Sequence, residues 1–150
     1  MGYGRRIRTR RDALGLSQRE LAERSGVKQP LISAIESGRR EPSAATRAAL
    51  DASSPVRPSD VLRLRRLEAL EVIRRHRGDA PLVFGSVARG EDGPDSDLDL
   101  LVTFSAGAGI GDLLAMEEEL AELLTVPVEV VSAGSSGRVL DRARREAVPL

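Results

Sequence analysis

The sequence predicts two domains: a small all-α bundle, then a small α/β (α+β) domain with a mixed sheet. Three observations lead there. The first is charge. Residues 1–57 hold 12 Lys/Arg and 6 Asp/Glu, whereas residues 58–150 hold 11 and 17, so a net charge of zero conceals +6 followed by −6. The second is the Pro/Ser-rich stretch Ser53-Ser54-Pro55-Val56-Arg57-Pro58-Ser59, which reads as a linker. The third is periodicity: helical spacing alone before that stretch, helices alternating with apolar runs after it. The predicted boundaries are residues 1–52, a linker at 53–59, and residues 60–150. A chain of 150 residues suits one medium or two small domains.

In the first domain, four short helices fit residues 5–52. The first covers about Arg5–Leu14 and stops at Gly15. The second opens on a capping box, Ser17 with Glu20 three residues on, and ends near Ser25-Gly26. The third starts at Lys28 or Gln29, with Pro30 tolerated in the first turn, and carries Leu31, Ile32 and Ile35 at helical spacing. The fourth runs from a Ser43 cap through Ala44–Ala52. In the second domain, Asp60–Arg77 is predicted as one helix ended by Gly78. Strands follow at Pro81–Phe84, Leu98–Phe104 and Val126–Val131, with helices at Ile110–Leu124 and about Ser135–Ala147. Leu98–Phe104 is almost wholly apolar and is expected at the centre of the sheet.

Composition narrows the function. The absence of cysteine excludes disulfides and thiolate metal sites. No apolar run approaches membrane-spanning length, and the Arg-rich start lacks the apolar core of a signal peptide. A cytoplasmic protein without a membrane partner is expected. One Tyr, two Phe and no Trp leave the cores to Leu, Val, Ala and Ile. Recognition of single strands by base stacking is correspondingly disfavoured.

Two helices joined by a tight glycine turn describe a helix-turn-helix. The run Gly15-Leu16-Ser17-Gln18, Leu21-Ala22, Ser25-Gly26-Val27, Ile32-Ser33 and Ile35-Glu36-Ser37-Gly38-Arg39-Arg40-Glu41-Pro42 resembles the Xre/Cro-type helix-turn-helix family over the first third of the chain. That resemblance implies a third helix lying in the major groove of double-stranded operator DNA, read as a palindrome by a dimer. By position, Lys28, Gln29 and Ser33 would face base edges. Gln18, Arg39 and Arg40 would grip phosphates. The family closes its bundle with a fifth helix, and here the linker comes before one. A helical bundle used for protein contact is the alternative, and the +6 charge weighs against it.

The chemistry-bearing stretch is Phe84-Gly85-Ser86-Val87-Ala88-Arg89-Gly90, a polar loop, then Ser96-Asp97-Leu98-Asp99-Leu100. Side chains two apart on a strand share a face. Asp97 and Asp99 can therefore converge on one cation, with a Gly-Ser turn nearby for an anion. An Asp-x-Asp pair alone is common on solvated strand edges; the upstream apolar-Gly-Ser makes that reading a minor one. Two other motifs fail. Gly107-x-Gly109-x-Gly111 imitates a dinucleotide turn, but Asp112 stands at the last fingerprint position and the strands are too few. Gly85…Gly90 lacks the Lys-Ser/Thr pair of a phosphate loop.

Phe84-Gly85-Ser86, ten residues, then Asp97-Leu98-Asp99-Leu100 resembles the signature of the DNA polymerase beta-like nucleotidyltransferase superfamily. Ser86-Val87-Ala88-Arg89-Gly90, Ser96-Asp97 and the closing Arg145–Leu150 resemble its minimal branch. The resemblance implies a Mg²⁺-dependent transfer from ATP, with Asp97, Asp99 and Glu129 as catalytic metal-holding carboxylates. It also implies Gly85, Ser86, Arg89 and Ser96 around the nucleotide. A strand register wrong by one would pass the third place to Asp95 or Asp112. Arg89 is expected either on the phosphates or pinning the loop through Asp92 or Asp95. Ser96 is expected to cap or orient the aspartates.

The same branch resembles antitoxins paired with HEPN-like toxins, which implies AMP transfer to a tyrosine of a cognate toxin protein. It also implies a homo-oligomer on DNA or a hetero-oligomer with that toxin, and control of its own operon. Two rivals stand beside this reading. One is a catalytically idle regulator that acts by sequestration. The other is transfer to a small molecule, for which an added helical domain is usual. Elsewhere the bland readings are taken: Tyr3 in a disordered terminus, His76 solvated at a helix end, and Glu117-Glu118-Glu119 a solvated helix face. The leucines of Ile110–Leu124 and Met116 are read as core or interface.

Overall fold

Four helices build the amino-terminal unit: α1 (Tyr3–Ala13), α2 (Gln18–Ser25), α3 (Gln29–Glu36) and α4 (Ala44–Ala52). They come from a computed structural model that describes residues 2–150. Their starts follow the encoded caps. Ser17 Oγ accepts the Glu20 N–H at 3.1 Å, and Glu20 Oε2 accepts the Ser17 N–H at 2.6 Å. Ser43 Oγ accepts the Thr46 N–H in the same way. The helices bury Ile7, Leu21, Val27, Ile32, Ile35 and Leu50 in one cluster, so four suffice to close this core. α1 and α3 pack closely at Gly4, where any Cβ would collide with the Ile35 carbonyl.

Tyr3 departs from expectation. It belongs to that core, its hydroxyl donating to Asp51 Oδ1 at 2.9 Å, with the Arg47 carbonyl oxygen 3.1 Å away as a second acceptor for the same hydrogen. The Arg47 guanidinium lies 4.4 Å from its ring centre. Burial, then Asp51, pushes the phenol far above its ordinary pKa. α1 starts two residues earlier than predicted to accommodate it.

The Pro/Ser-rich stretch is structured locally at both ends. Ser54 is fully buried, its hydroxyl donating to the Leu50 carbonyl at 2.7 Å. Pro58 opens the next helix from its first turn. The chain divides into two compact units, Met1–Val56 and Arg57–Leu150.

The second unit adds helices α5 (Pro58–Leu64), α6 (Arg66–Arg75), α7 (Gly85–Arg89), α8 (Ile110–Leu124) and α9 (Arg138–Glu146). Its strands are β1 (Gly78–Phe84), β2 (Leu98–Phe104), β3 (Val128–Ser132) and β4 (Val148–Pro149). The helix predicted over residues 60–77 is two helices, broken at Arg65, where φ is −112° and ψ is 22°. A continuous helix would place Arg65 on one stripe with the buried Val61 and Ala69. A guanidinium does not share an apolar stripe cheaply; at the break Arg65 is half-buried and pairs with Glu68 at 3.0 Å.

The sheet is mixed, in the order β3-β2-β1-β4. β1 pairs antiparallel with β2 and β4, and β2 pairs parallel with β3. The apolar strand β2 is central, as expected, and buries Leu98, Leu100, Leu101 and Val102. β4 was not predicted, because two residues carry no period. α8 buries Met116, Leu120 and Leu124, four apart, and leaves Leu114 exposed.

The acidic run of α8 is not merely solvated. Glu117 Oε1 accepts the Val130 N–H of the edge strand at 2.8 Å. That satisfies a donor the strand would otherwise leave unpaired. Glu119 meets His76 Nε2 at 2.6 Å and also pairs with Arg75, tying α8 to α6. The His76 contact foremost holds the Glu119 carboxyl below the usual range.

Candidate functional site

β1 ends at Phe84, and the chain turns directly into α7. Gly85 makes the turn with φ at +69°, a conformation that costs a residue with a Cβ roughly 1–2 kcal/mol. A Cβ here would also run into Asp99 Oδ2. Glycine is thus needed twice: for the backbone and for the carboxylate lying against it. Ser86, the next residue, is half-buried.

Asp99 is the centre of a row across three strands. It is opposite Phe84 in the antiparallel register and opposite Glu129 in the parallel one. Directly opposed residues put their side chains on one face. Asp97, two residues earlier, immediately precedes β2, where the Leu98 N–H donates to the Pro127 carbonyl at 2.9 Å. Asp97 and Glu129 are exposed and Asp99 half-buried. Burial, then Glu129, then Asp97 raises the Asp99 carboxyl above the ordinary range, with Arg89 partly opposing them. The three predicted carboxylates therefore interact electrostatically. Among the described residues, no three His, Asp or Glu side chains stand close enough to hold a metal ion in their present rotamers. The donor set itself suits a hard divalent cation: oxygen only, three negative charges, and a crowding that such an ion relieves.

Beside this row lies a cleft of about 390 Å³. It is lined by Phe84, Gly85, Ser86, Arg89 and Asp99 and, from α9, by Val139, Arg142, Ala143 and Glu146. The α9 residues were not among those expected from the sequence. Their spacing of three, four and seven defines one helix face, but a face of mixed apolar and charged residues carries no motif.

The structure draws Arg89 elsewhere than either loop expectation. Its Nε donates to Glu91 Oε2 at 2.8 Å and its Nη1 to Glu146 Oε2 at 3.0 Å, not to Asp92 or Asp95. Asp92 is instead buried and engaged with the start of α5. It accepts from Arg57 Nη2 at 3.0 Å and from the Ser59 N–H at 2.9 Å. Ser96 does not touch the aspartates through any hydrogen bond seen; its Oγ accepts the Gly93 N–H at 2.9 Å and closes the loop turn.

In the amino-terminal unit, Lys28 and Gln29 are exposed at the start of α3, Ser33 is half-buried one turn on, and Arg39 and Arg40 are exposed after it. Gln18 is held in a polar chain. Its Nε2 donates to Glu36 Oε2 at 2.8 Å, and its Oε1 accepts from Gln29 Nε2 at 2.9 Å. Arg11 anchors the same Glu36 with two hydrogen bonds. Two amides expected on DNA thus start from fixed orientations.

Comparison with known proteins agrees with both units. A helix-turn-helix family model matches residues 7–49, and a nucleotidyltransferase domain model matches residues 68–148. A relative from Methanocaldococcus jannaschii named "Putative protein adenylyltransferase" is 36% identical over 80 residues, 53% of this chain and 86% of that one. An uncharacterized helix-turn-helix transcriptional regulator of Mycobacterium tuberculosis is 53% identical over 38 residues, 25% of this chain and 27% of that one. Among solved structures, a "putative minimal nucleotidyltransferase" matches with 44% identity and a TM-score of 0.55, over 61% of this chain and 95% of that one. A toxin–antitoxin crystal structure with AMP-PNP shares the fold at 20% identity and a TM-score of 0.50, over 55% and 69% of the two chains. With a helix-turn-helix domain in front of it, the chain belongs to the nucleotidyltransferase family.

Proposed function

We propose that the second unit transfers a nucleotidyl group, AMP from ATP, to a hydroxyl of a partner protein, and that the first unit binds operator DNA. The observation that carries the transfer reading is the row Phe84–Asp99–Glu129 beside the Gly85-Ser86 turn. It sets Asp99, with Glu129 beside it on the next strand, against the Gly85-Ser86 turn, and Asp99 and that turn line one cleft. Asp97, Asp99 and Glu129 would hold Mg²⁺, which when bound would neutralise phosphate charge and polarise the reacting oxygens. The Ser86 hydroxyl donates to a phosphate oxygen, and Gly85 lets backbone come close to it. Arg89 offers charge to the triphosphate. Glu129 takes the proton of the acceptor hydroxyl as that oxygen attacks the α-phosphorus in line. The bond from the α-phosphorus to the bridging oxygen breaks, and pyrophosphate leaves.

The name of the archaeal relative supports a protein acceptor. The resemblance to antitoxins of the minimal branch points to a cognate toxin, HEPN-like, modified on a tyrosine. Under this reading Lys28, Gln29 and Ser33 face base edges, and Gln18, Arg39 and Arg40 hold phosphates. The protein works in the cytoplasm, alternating between operator and toxin.

The test incubates the protein with Mg²⁺, the protein encoded beside it, and ATP labelled on either the α- or the γ-phosphate. Label from the α-position, and none from the γ-position, is expected on the partner. Asp97→Asn and Asp99→Asn should abolish it. Neutralisation of the partner by those variants, with no labelling by any form, would replace transfer with sequestration.

A further inference from the structure

We propose that Arg142 of α9 is a second triphosphate-binding arginine, held together with Arg89 by Glu146 until a nucleotide takes its place. The inference rests on the nucleotidyl-transfer reading of the cleft and adds the α9 residues that line it. Both carboxylate oxygens of Glu146 are used: Oε1 accepts from Arg142 Nε at 3.1 Å and Oε2 from Arg89 Nη1 at 3.0 Å. Arg89 comes from α7, which also carries Gly85 and Ser86, and Arg142 from α9, and all four line the cleft. One anionic group thus joins two cations of the cleft where a triphosphate would lie.

The exposures fit an exchange. Arg142 is 69% exposed and Arg89 37%, whereas Glu146 is 26% exposed. Ion pairs between side chains this exposed are weak, weak enough for a polyphosphate to displace them. A triphosphate offers more charge and more acceptor oxygens than one carboxylate, and arginine suits phosphate in fork geometry. Arg142, and to a lesser degree Arg89, hold the Glu146 carboxyl below the usual range. Glu146 therefore stays charged at neutral pH and competes with phosphate for the same two guanidinium groups. Glu91 accepts from Arg89 Nε at 2.8 Å, a second contact that does not depend on Glu146.

The test measures binding of ATP with Mg²⁺ by titration calorimetry, with adenosine as the phosphate-free control. Glu146→Gln should bind ATP about three- to tenfold tighter than the natural chain, the fold-change equivalent to releasing one or two exposed ion pairs. Arg142→Gln should bind it about tenfold weaker, with a shallower dependence on salt. Neither should change the affinity for adenosine. Arg142 is exposed and Glu146 half-buried, and an unchanged circular dichroism spectrum checks the fold of both variants. Unchanged or weaker ATP binding by Glu146→Gln overturns the latch, while unchanged binding by Arg142→Gln overturns its role on the phosphate. If the natural chain binds no ATP with Mg²⁺ at all, the transfer reading falls and this proposal with it, an outcome distinct from the other two.

Discussion

Asp99 concentrates the conflict between stability and chemistry. It is half-buried, raised by burial and by two neighbouring acids, and pressed against a glycine that tolerates no side chain. A cluster of like charges costs stability in the absence of a counterion. Asp99→Asn should therefore raise the melting temperature of the second unit in metal-free buffer. It should also lower nucleotidyl transfer more than ~100-fold, since loss of even an outer-shell partner of a metal ligand costs 10–100-fold. A lower melting temperature would show that the carboxylate is structural. Gly85→Ala should do the opposite on stability, losing roughly 1–2 kcal/mol for its left-handed backbone alone. Displacement of Asp99 should also remove transfer. Denaturant unfolding and the labelling assay together separate the two effects. These residues were legible in the sequence because glycine, serine and aspartate at fixed spacing leave a signature. Arg142 and Glu146 were not, since arginine and glutamate four apart on a helix usually make nothing more than a surface pair.

At the scale of elements, the loop between α7 and β2 is the part the sequence rendered least well. Loop aspartates all look alike in a string of Glu91, Asp92, Asp95 and Asp97, and only burial tells them apart. Asp92 is the buried one, with no side-chain exposure. Burial pushes its carboxyl up, but the Ser59 N–H and Arg57 together outweigh it and hold the carboxyl below the ordinary range. The sign of its pH dependence follows. A group with a depressed pKa adds stability above its unfolded value and loses it as pH falls through the folded one. Asp92→Ala should cost about 2 kcal/mol at neutral pH, the value of hydrogen bonds to a charged group. The difference from the natural chain should shrink as pH falls from about 4, as urea midpoints across pH would record. Regular elements were easier. Leu98–Phe104, Ile110–Leu124 and Ala44–Ala52 hold their predicted limits, because period and caps agree there. The helix over 60–77 did not hold, because apolar spacing does not register one arginine on the wrong stripe.

For the molecule as a whole, the division of charge is the property most specific to this chain. A unit of +5 precedes one of −5, so association with a polyanion is expected from the first and resisted by the second. Phosphate contacts release counterions, and each one lost lowers the slope of log K against log salt by about 1. Arg39→Ala and Arg40→Ala should each weaken binding of duplex operator DNA to a similar extent across sequences and flatten that slope by about one unit. Gln29→Ala behaves differently if the polar chain from Arg11 through Glu36 and Gln18 orients it for a base. It should relax sequence preference, costing about 1–3 kcal/mol on the best site and little on others, with the salt slope unchanged. Asp97→Asn tests the separation of the two activities. It removes a negative charge from the acidic unit and leaves the sequence of the basic one unaltered, so operator binding should match or slightly exceed that of the natural chain while transfer is lost. Gel-shift titrations at three salt concentrations, run beside the labelling assay, decide it. Loss of DNA binding in that variant would mean that the carboxylates support the DNA-binding state, and that operator occupancy and nucleotidyl transfer form one coupled equilibrium.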